Sequence, residues 1–160
     1  MSEPNILLAR VDNRLIHGQV ATQWVSYLDA NCIIVVNDDA ATNRMRQGLM
    51  GMAAPADVKV VYFSVKQAIE EKASFEEGDK ALLLVETPAD ALALVEGGVK
   101  IERLNVGIMH MKDGKHQVSA TVAVDDDDVA ALKALRDKGV ELELRRVPSV
   151  PPEDVEKLFA

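Results

Sequence analysis

The chain contains one cysteine, Cys32, so no intrachain disulfide can form. Cys32 opens the apolar run Cys32-Ile33-Ile34-Val35-Val36 and reads as a small buried hydrophobe rather than a reactive thiol. No apolar run reaches the roughly 20 residues that a membrane-spanning helix needs. The first residues, Met1-Ser2-Glu3-Pro4, lack the basic and apolar segments of a signal peptide. Positive charge is in the minority: 18 Lys and Arg stand against 26 Asp and Glu, a net charge of −8. That balance argues against non-specific nucleic-acid binding and against polybasic attachment to anionic lipid. There is no Walker-type phosphate loop, and no glycine fingerprint follows the first apolar run, so no nucleotide cofactor is indicated. Three scattered histidines without paired Cys or His spacing suggest no metal site. These absences favour the cytoplasm.

What is present fits a soluble α/β chain. The 160 residues are 48% hydrophobic, enough for one domain, 1–160, with a sizeable core. Apolar runs alternate with helical patterns from end to end. Strands are expected at about Asn5–Val11, Asn31–Val36, Val58–Phe63, Ala81–Val85 and Arg103–Val106, all suited to a parallel sheet covered on both faces. Glu141–Val147 alternates Glu and Leu, which leaves one face wet and predicts an edge strand. Helices are expected at about Gly18–Leu28, Ala40–Met52, Ser64–Lys72, Thr87–Glu96, Asp125–Lys138 and Glu153–Phe159. Asn37-Asp38-Asp39 caps the second of these, which makes metal ligation by the two acids the lesser reading. Ser64 and Gln67 form a capping box for the third, and Thr87 and Pro88 open the fourth. The run Asp125–Asp128 complements a helix dipole, and Gly139 ends that helix. Phe75–Asp79 reads as a connecting turn, and Asp113-Gly114 marks another, after which a short strand near His116–Ala120 can pair antiparallel. Trp24 lies on a core-facing stripe with Val20 and Leu28, so it is either core or a partner's docking anchor. The pattern predicts an α/β/α sandwich with an open, mostly parallel sheet.

Ligands of such sheets bind beyond the carboxyl ends of the strands. Asp12 to His17, Asp38-Asp39, Thr87 and Gly107 to His110 all follow strand ends. The stretch Arg10-Val11-Asp12-Asn13-Arg14-Leu15-Ile16-His17-Gly18-Gln19-Val20 puts a histidine in a strand-to-helix turn, between arginines and a glycine. Helix-opening amides and the helix dipole favour an anion there. His17 can attack a phosphoryl group, with Arg14 balancing its oxyanions, or it can merely bind phosphate; spacing alone does not separate the two. Asp12 can accept the second ring N–H of His17, or it can hold Arg14. His110 either helps shape the site or is structural, and His116 reads as a surface residue.

The same stretch resembles the phosphorylation motif of the IIB components of sugar phosphotransferase systems, in the mannose/fructose/sorbose class, with the motif's histidine on His17. Met50-Gly51-Met52-Ala53-Ala54-Pro55, Leu82 to Asp90, Leu104-Asn105-Val106-Gly107-Ile108-Met109-His110, Lys138 to Leu142 and Val147-Pro148 are similar to other segments of that family. The resemblance implies a three-layer α/β/α fold whose first strand lies between the fourth and fifth. Thr87 and Gly107 to His110 would then stand beside His17. It implies a phosphoryl relay from a phosphohistidine of a IIA partner to the δ nitrogen of His17. From there the group passes to a sugar entering through the membrane partners IIC and IID. No metal or cofactor is implied.

On this reading the catalytic residues are His17, Arg14 and Asp12. Arg10, Gly18 and Gln19 bind the phosphate, and Thr87, Gly107 and His110 stand behind them. Arg10, Arg14, Lys112 and Lys115 can supply a docking patch. The location is cytoplasmic, peripheral to the membrane subunits, and a homo-oligomer is compatible with it. Gln23-Trp24-Val25 together with Asn105-Val106-Gly107 and Met109-His110 looks most like members for amino sugars, notably N-acetylgalactosamine. Two positions depart from the family pattern: Ile108 where Gly is common, and Glu86 where Lys is frequent, which would remove a positive charge. Three other readings stay open at this point: a stand-alone phosphatase acting through His17, a receiver-like module using Asp38-Asp39, and a regulatory homologue that transfers nothing.

Overall fold

A computed structural model describes residues 5–71 and 78–160. The expected end of the third helix at Lys72, most of the turn from Phe75, and Met1–Pro4 lie outside the described residues.

Six strands form one sheet: β1 (Asn5–Asp12), β2 (Cys32–Val36), β3 (Lys59–Phe63), β4 (Lys80–Val85), β5 (Arg103–Ile108) and β8 (Glu141–Leu144). Their order is β3-β2-β4-β1-β5-β8, and every neighbouring pair is parallel. The first strand therefore does lie between the fourth and fifth. The alternating strand β8 is an edge, as its wet face requires. A second, antiparallel ribbon pairs β6 (His116–Gln117) with β7 (Ala123–Val124).

Side-chain alternation divides the core in two. Leu8, Ile33, Val35, Leu82 and Leu84 point to the face covered by α1 (Val20–Leu28) and α2 (Arg44–Ala53). Ala9, Val11, Ile34, Val36, Leu83 and Val85 point to the other face. That face is covered by α3 (Val65–Glu70), α4 (Pro88–Glu96) and α5 (Asp126–Asp137). The result is an α/β/α sandwich whose central strands are apolar on both sides, which is why they read as unbroken hydrophobic runs. Cys32 and Trp24 are both core: they are 0% and 1% exposed, which removes the docking role for Trp24.

Several elements differ from expectation: α1 starts at Val20, β6 ends at Gln117, β8 ends at Leu144, and three further cases have a clear local cause. Helix α2 starts at Arg44, capped by the Asn43 side chain on the Arg46 amide. Asn37 instead closes a local turn by accepting the Ala40 amide, and Asp38 accepts the Val65 amide at the start of α3. Short polar side chains that bond nearby backbone can make a turn as readily as a helix cap. The last helix is a 3₁₀ helix, Val155–Phe159, rather than an α-helix. Strand β5 runs two residues further than expected, to Ile108, because the Asn13 amide donates to the Ile108 carbonyl.

Candidate functional site

At the carboxyl end of β1 the chain turns sharply. The Leu15 amide donates to the Asp12 carbonyl at 2.9 Å, closing the turn. Leu15 then adopts a left-handed conformation, φ 58°, with its side chain buried in the core. Such a backbone in a non-glycine residue costs about 1–2 kcal/mol, which burial of the leucine offsets. Gly18 is also left-handed, φ 48°, and leads the chain into α1.

Asp12 organises the turn. Its side chain is fully buried, and both carboxylate oxygens are in use. Oδ1 accepts the Arg14 backbone amide at 2.9 Å. Oδ2 is shared by His17 Nε2 at 2.9 Å and Arg10 Nη2 at 3.1 Å. The alternatives for Asp12 are thus both realised: it holds His17, and it fixes Arg14 through the main chain. Burial on its own would raise the Asp12 carboxyl. The hydrogen bond with His17, the Arg10 charge and the Arg14 amide outweigh it and leave Asp12 below the ordinary carboxylate range. An ionised Asp12 can only accept, so Nε2 carries the proton in the neutral ring. Nδ1 then keeps its lone pair, and no described residue occupies it. The His17 side chain is 11% exposed, within reach of a partner at the surface.

Helix α1 begins at this ring. Of the five α-helices described, α2, α3, α4 and α5 each start with a side-chain cap, from Asn43, Ser64, Thr87 and Asp125. Gln19, the N-cap of α1, makes no side-chain cap bond, and the first turn holds no acid. Its opening amides are left to an external acceptor, at the positive end of the helix dipole. Arg14 is exposed and has no ion pair among the described residues.

Arg10 requires a correction. Expected to bind phosphate, it is 1% exposed and lies behind Asp12, out of reach of a group at the surface. Nη1 donates to Asn105 Oδ1 at 2.6 Å and to the Arg145 carbonyl at 3.3 Å. The guanidinium also lies 5.4 Å from the centre of the Trp24 ring. Burial depresses the Arg10 pKa, and the Asp12 charge and hydrogen bond partly restore it. Room for it comes from Gly107. A Cβ there would overlap the guanidinium, and the β1–β5 register slips at this point, pairing Val11 with Val106 but Asp12 with Ile108. Glycine in a strand often marks such a bulge or close approach.

The other expected residues lie further out. The Thr87 side chain accepts the Asp90 amide as the cap of α4. With Asn13, Glu86, Met109, Lys112 and Lys115 it lines a small recess beside the turn. His110 is exposed beyond the Met109 bridge, and no hydrogen bond or ion pair joins it to Asp12 or His17. The basic patch is smaller than expected, since Arg10 is buried and Lys115 is paired with Asp128 at 2.8 Å. Glu86 accepts from Asn37 Nδ2 at 2.6 Å and faces Arg46 Nη2 at 3.6 Å, so a positive charge from α2 stands next to it. Ile108 is an ordinary β5 residue without positive φ. Sequence reading missed Arg145, whose carbonyl reaches the site across 135 residues, and the role of the Asn105 side chain. No local pattern signals either contact.

Comparison with known proteins agrees over almost the whole chain. The family described as PTS system sorbose subfamily IIB component matches residues 6–160. The N-acetylgalactosamine-specific phosphotransferase enzyme IIB component 2 of Escherichia coli K12 is 43% identical over 98% of this chain and 99% of its own length. The mannose-specific EIIAB component of the same strain is 43% identical over 90% of this chain, which spans only 45% of that protein. The crystal structure of the Escherichia coli N-acetylgalactosamine-specific IIB component 1 superposes with a TM-score of 0.90 at 38% identity, covering 94% of this chain and 99% of that one.

Proposed function

The chain belongs to the sorbose subfamily of PTS IIB components, the phosphoryl-transfer subunits of sugar phosphotransferase systems, and from this we propose that His17 Nδ1 is its phosphoryl acceptor. The observation that carries the proposal is the Asp12–His17 bond at Nε2, which leaves Nδ1 as the nucleophile at the uncapped start of α1. The Nδ1 lone pair forms a bond to phosphorus as the bond to the donor's histidine nitrogen breaks, and that electron pair returns to the donor ring. Arg14 balances the equatorial oxygens, and the amides after Gly18 and Gln19 receive them. Asp12 holds the Nε2 proton as positive charge develops on the ring. Thr87, Gly107 and His110 shape the surroundings without touching the transferred group.

The donor in this reading is a phosphorylated IIA protein, and the acceptor is a sugar brought through IIC and IID at the cytoplasmic face. The name of the mannose-specific relative, EIIAB, supports a IIA partner. Among sugars, N-acetylgalactosamine is supported by near-full-length relatives named for it and by the resemblance of Gln23–Val25, Asn105–Gly107 and Met109-His110 to members for amino sugars. We read residues 1–160 as one domain.

The test is intact-mass analysis after incubation with phosphoenolpyruvate, enzyme I, HPr and an active IIA. One acid-labile phosphoryl group is expected on wild type and on His110→Ala, and none on His17→Ala. No added mass on wild type would refute the relay. Turnover of a small phosphoester by the isolated chain would point to a phosphatase instead.

A further inference from the structure

We propose that Arg10 is a positioning residue for phosphoryl transfer: acting through Asp12, it keeps the His17 proton on Nε2 and so keeps Nδ1 open. The inference rests on His17 being the acceptor. It deepens that reading by assigning a role to a buried charge that touches no substrate.

The geometry forms a relay of three groups. Arg10 Nη2 and His17 Nε2 meet at the same oxygen, Asp12 Oδ2, at 3.1 and 2.9 Å. Asp12 is 0% and Arg10 1% exposed, so water does not stabilise the carboxylate. A carboxyl in such a place takes up a proton unless a cation or hydrogen-bond donors hold it ionised. A protonated Asp12 would donate to Nε2. The neutral imidazole would then carry its own proton on Nδ1, and the lone pair needed for attack would be gone. Arg10 blocks that state by supplying a fixed positive charge to the shared oxygen.

The surroundings of Arg10 hold it in this one place. Asn105 Oδ1 and the Arg145 carbonyl accept from Nη1 on one side, the Trp24 ring lies across it, and the missing Cβ of Gly107 gives it room. Glu143 and Arg146 are the other charged side chains whose fields reach the guanidinium; they act in opposite directions. From β5 the contact is the neutral Asn105, and from α1 the apolar Trp24. No other cation is bonded to the Asp12 carboxylate among the described residues. A purely structural role for Arg10 would be met by the contacts to Asn105 and Arg145 alone.

The experiment combines nitrogen NMR of the His17 tautomer with the rate of phosphoryl acceptance from phosphorylated IIA across pH. It uses wild type, Arg10→Met and Arg10→Lys. In wild type the Nε2–H tautomer is expected. In Arg10→Met that tautomer should give way as pH falls, acceptance on the acid limb should drop by about tenfold at a given pH, and the limb should move up by about one pH unit. Arg10→Lys, which keeps the charge, should recover part of the limb. A folded Arg10→Met with the wild-type tautomer and limb would overturn the proposal, whatever its stability. If Arg10→Met does not fold, Asn105→Ser frees the guanidinium while keeping its charge, and a smaller shift in the same direction is expected; no shift would overturn it. Should wild type accept the group on His17 while the variants keep its profile, only the role of Arg10 falls. Should wild type accept nothing, the acceptor reading falls, and the tautomer still reports whether Arg10 controls the ring.

Discussion

Gly107 shows how much of the site depends on one absent atom. Its missing Cβ leaves the space taken by the Arg10 guanidinium, which three acceptors hold in place. Gly107→Ala should cost about 2 kcal/mol or more in urea unfolding, since the guanidinium cannot swing away without losing those bonds. His17, Arg14 and Asp12 were legible in the sequence because they are neighbours in one turn, and the structure assigns each a place there. Arg10 misled because strand alternation shows which residues share a face, not what covers that face. Trp24 and Arg145 cover it, from 14 and 135 residues away. The left-handed Leu15 gave no signal either, because glycine is the residue that ordinarily marks such a backbone.

Helix ends were the elements most readable from sequence. The Ser64–Gln67 box, the Thr87 cap and the Asp125 start stand as expected, and Asp125 and Asp128 also form a capping box. Each cap is a contact within a few residues, so it is written locally. Asp125→Ala should lower stability by about 1 kcal/mol in a denaturant titration, with the fold retained. Helix α2 was misplaced because Asn37, Asp38, Asp39 and Asn43 are all competent caps, and what each bonds to is set by packing. Helix α1 differs in the opposite sense. The missing cap at Gln19 is a local feature, yet its meaning depends on the histidine placed beside it by the turn.

At the scale of the molecule, the sheet order decides what meets at the site. With β1 between β4 and β5, Asp12 lies next to Ile108, and the recess beside it gathers Asn13, Thr87 and Lys112 from three strand ends. The buried charges also make stability depend on pH. The Asp12 carboxyl is lower in the folded state than in the unfolded chain, where it is about 3.9. Its ionisation therefore supports folding above that value, and the support is lost as pH falls through the folded value. The stability advantage of wild type over Asp12→Asn should accordingly shrink below about pH 4, as read from urea midpoints at several pH values. Asp90 contributes with the opposite sign: burial first, then the charges of Asp38 and Glu86, raise its carboxyl, so acid relieves it.

The sequence by itself determined the alternation of strands and helices, the apolar central strands, most helix caps, and the turn carrying Asp12, Arg14 and His17. All of these follow from residues close together in the chain, through side-chain periodicity and local hydrogen bonding. Only the tertiary structure decided that Arg10 faces inward, that Asn105 and the Arg145 carbonyl anchor it, and that Gly107 makes its space. It also decided that Glu86 lies beside Arg46 rather than leaving the rim short of positive charge. Those contacts join β1 to β5 and β8, and β4 to α2. Their partners become neighbours only when the sheet has its order, because pairing across strands is set by packing over long sequence separations.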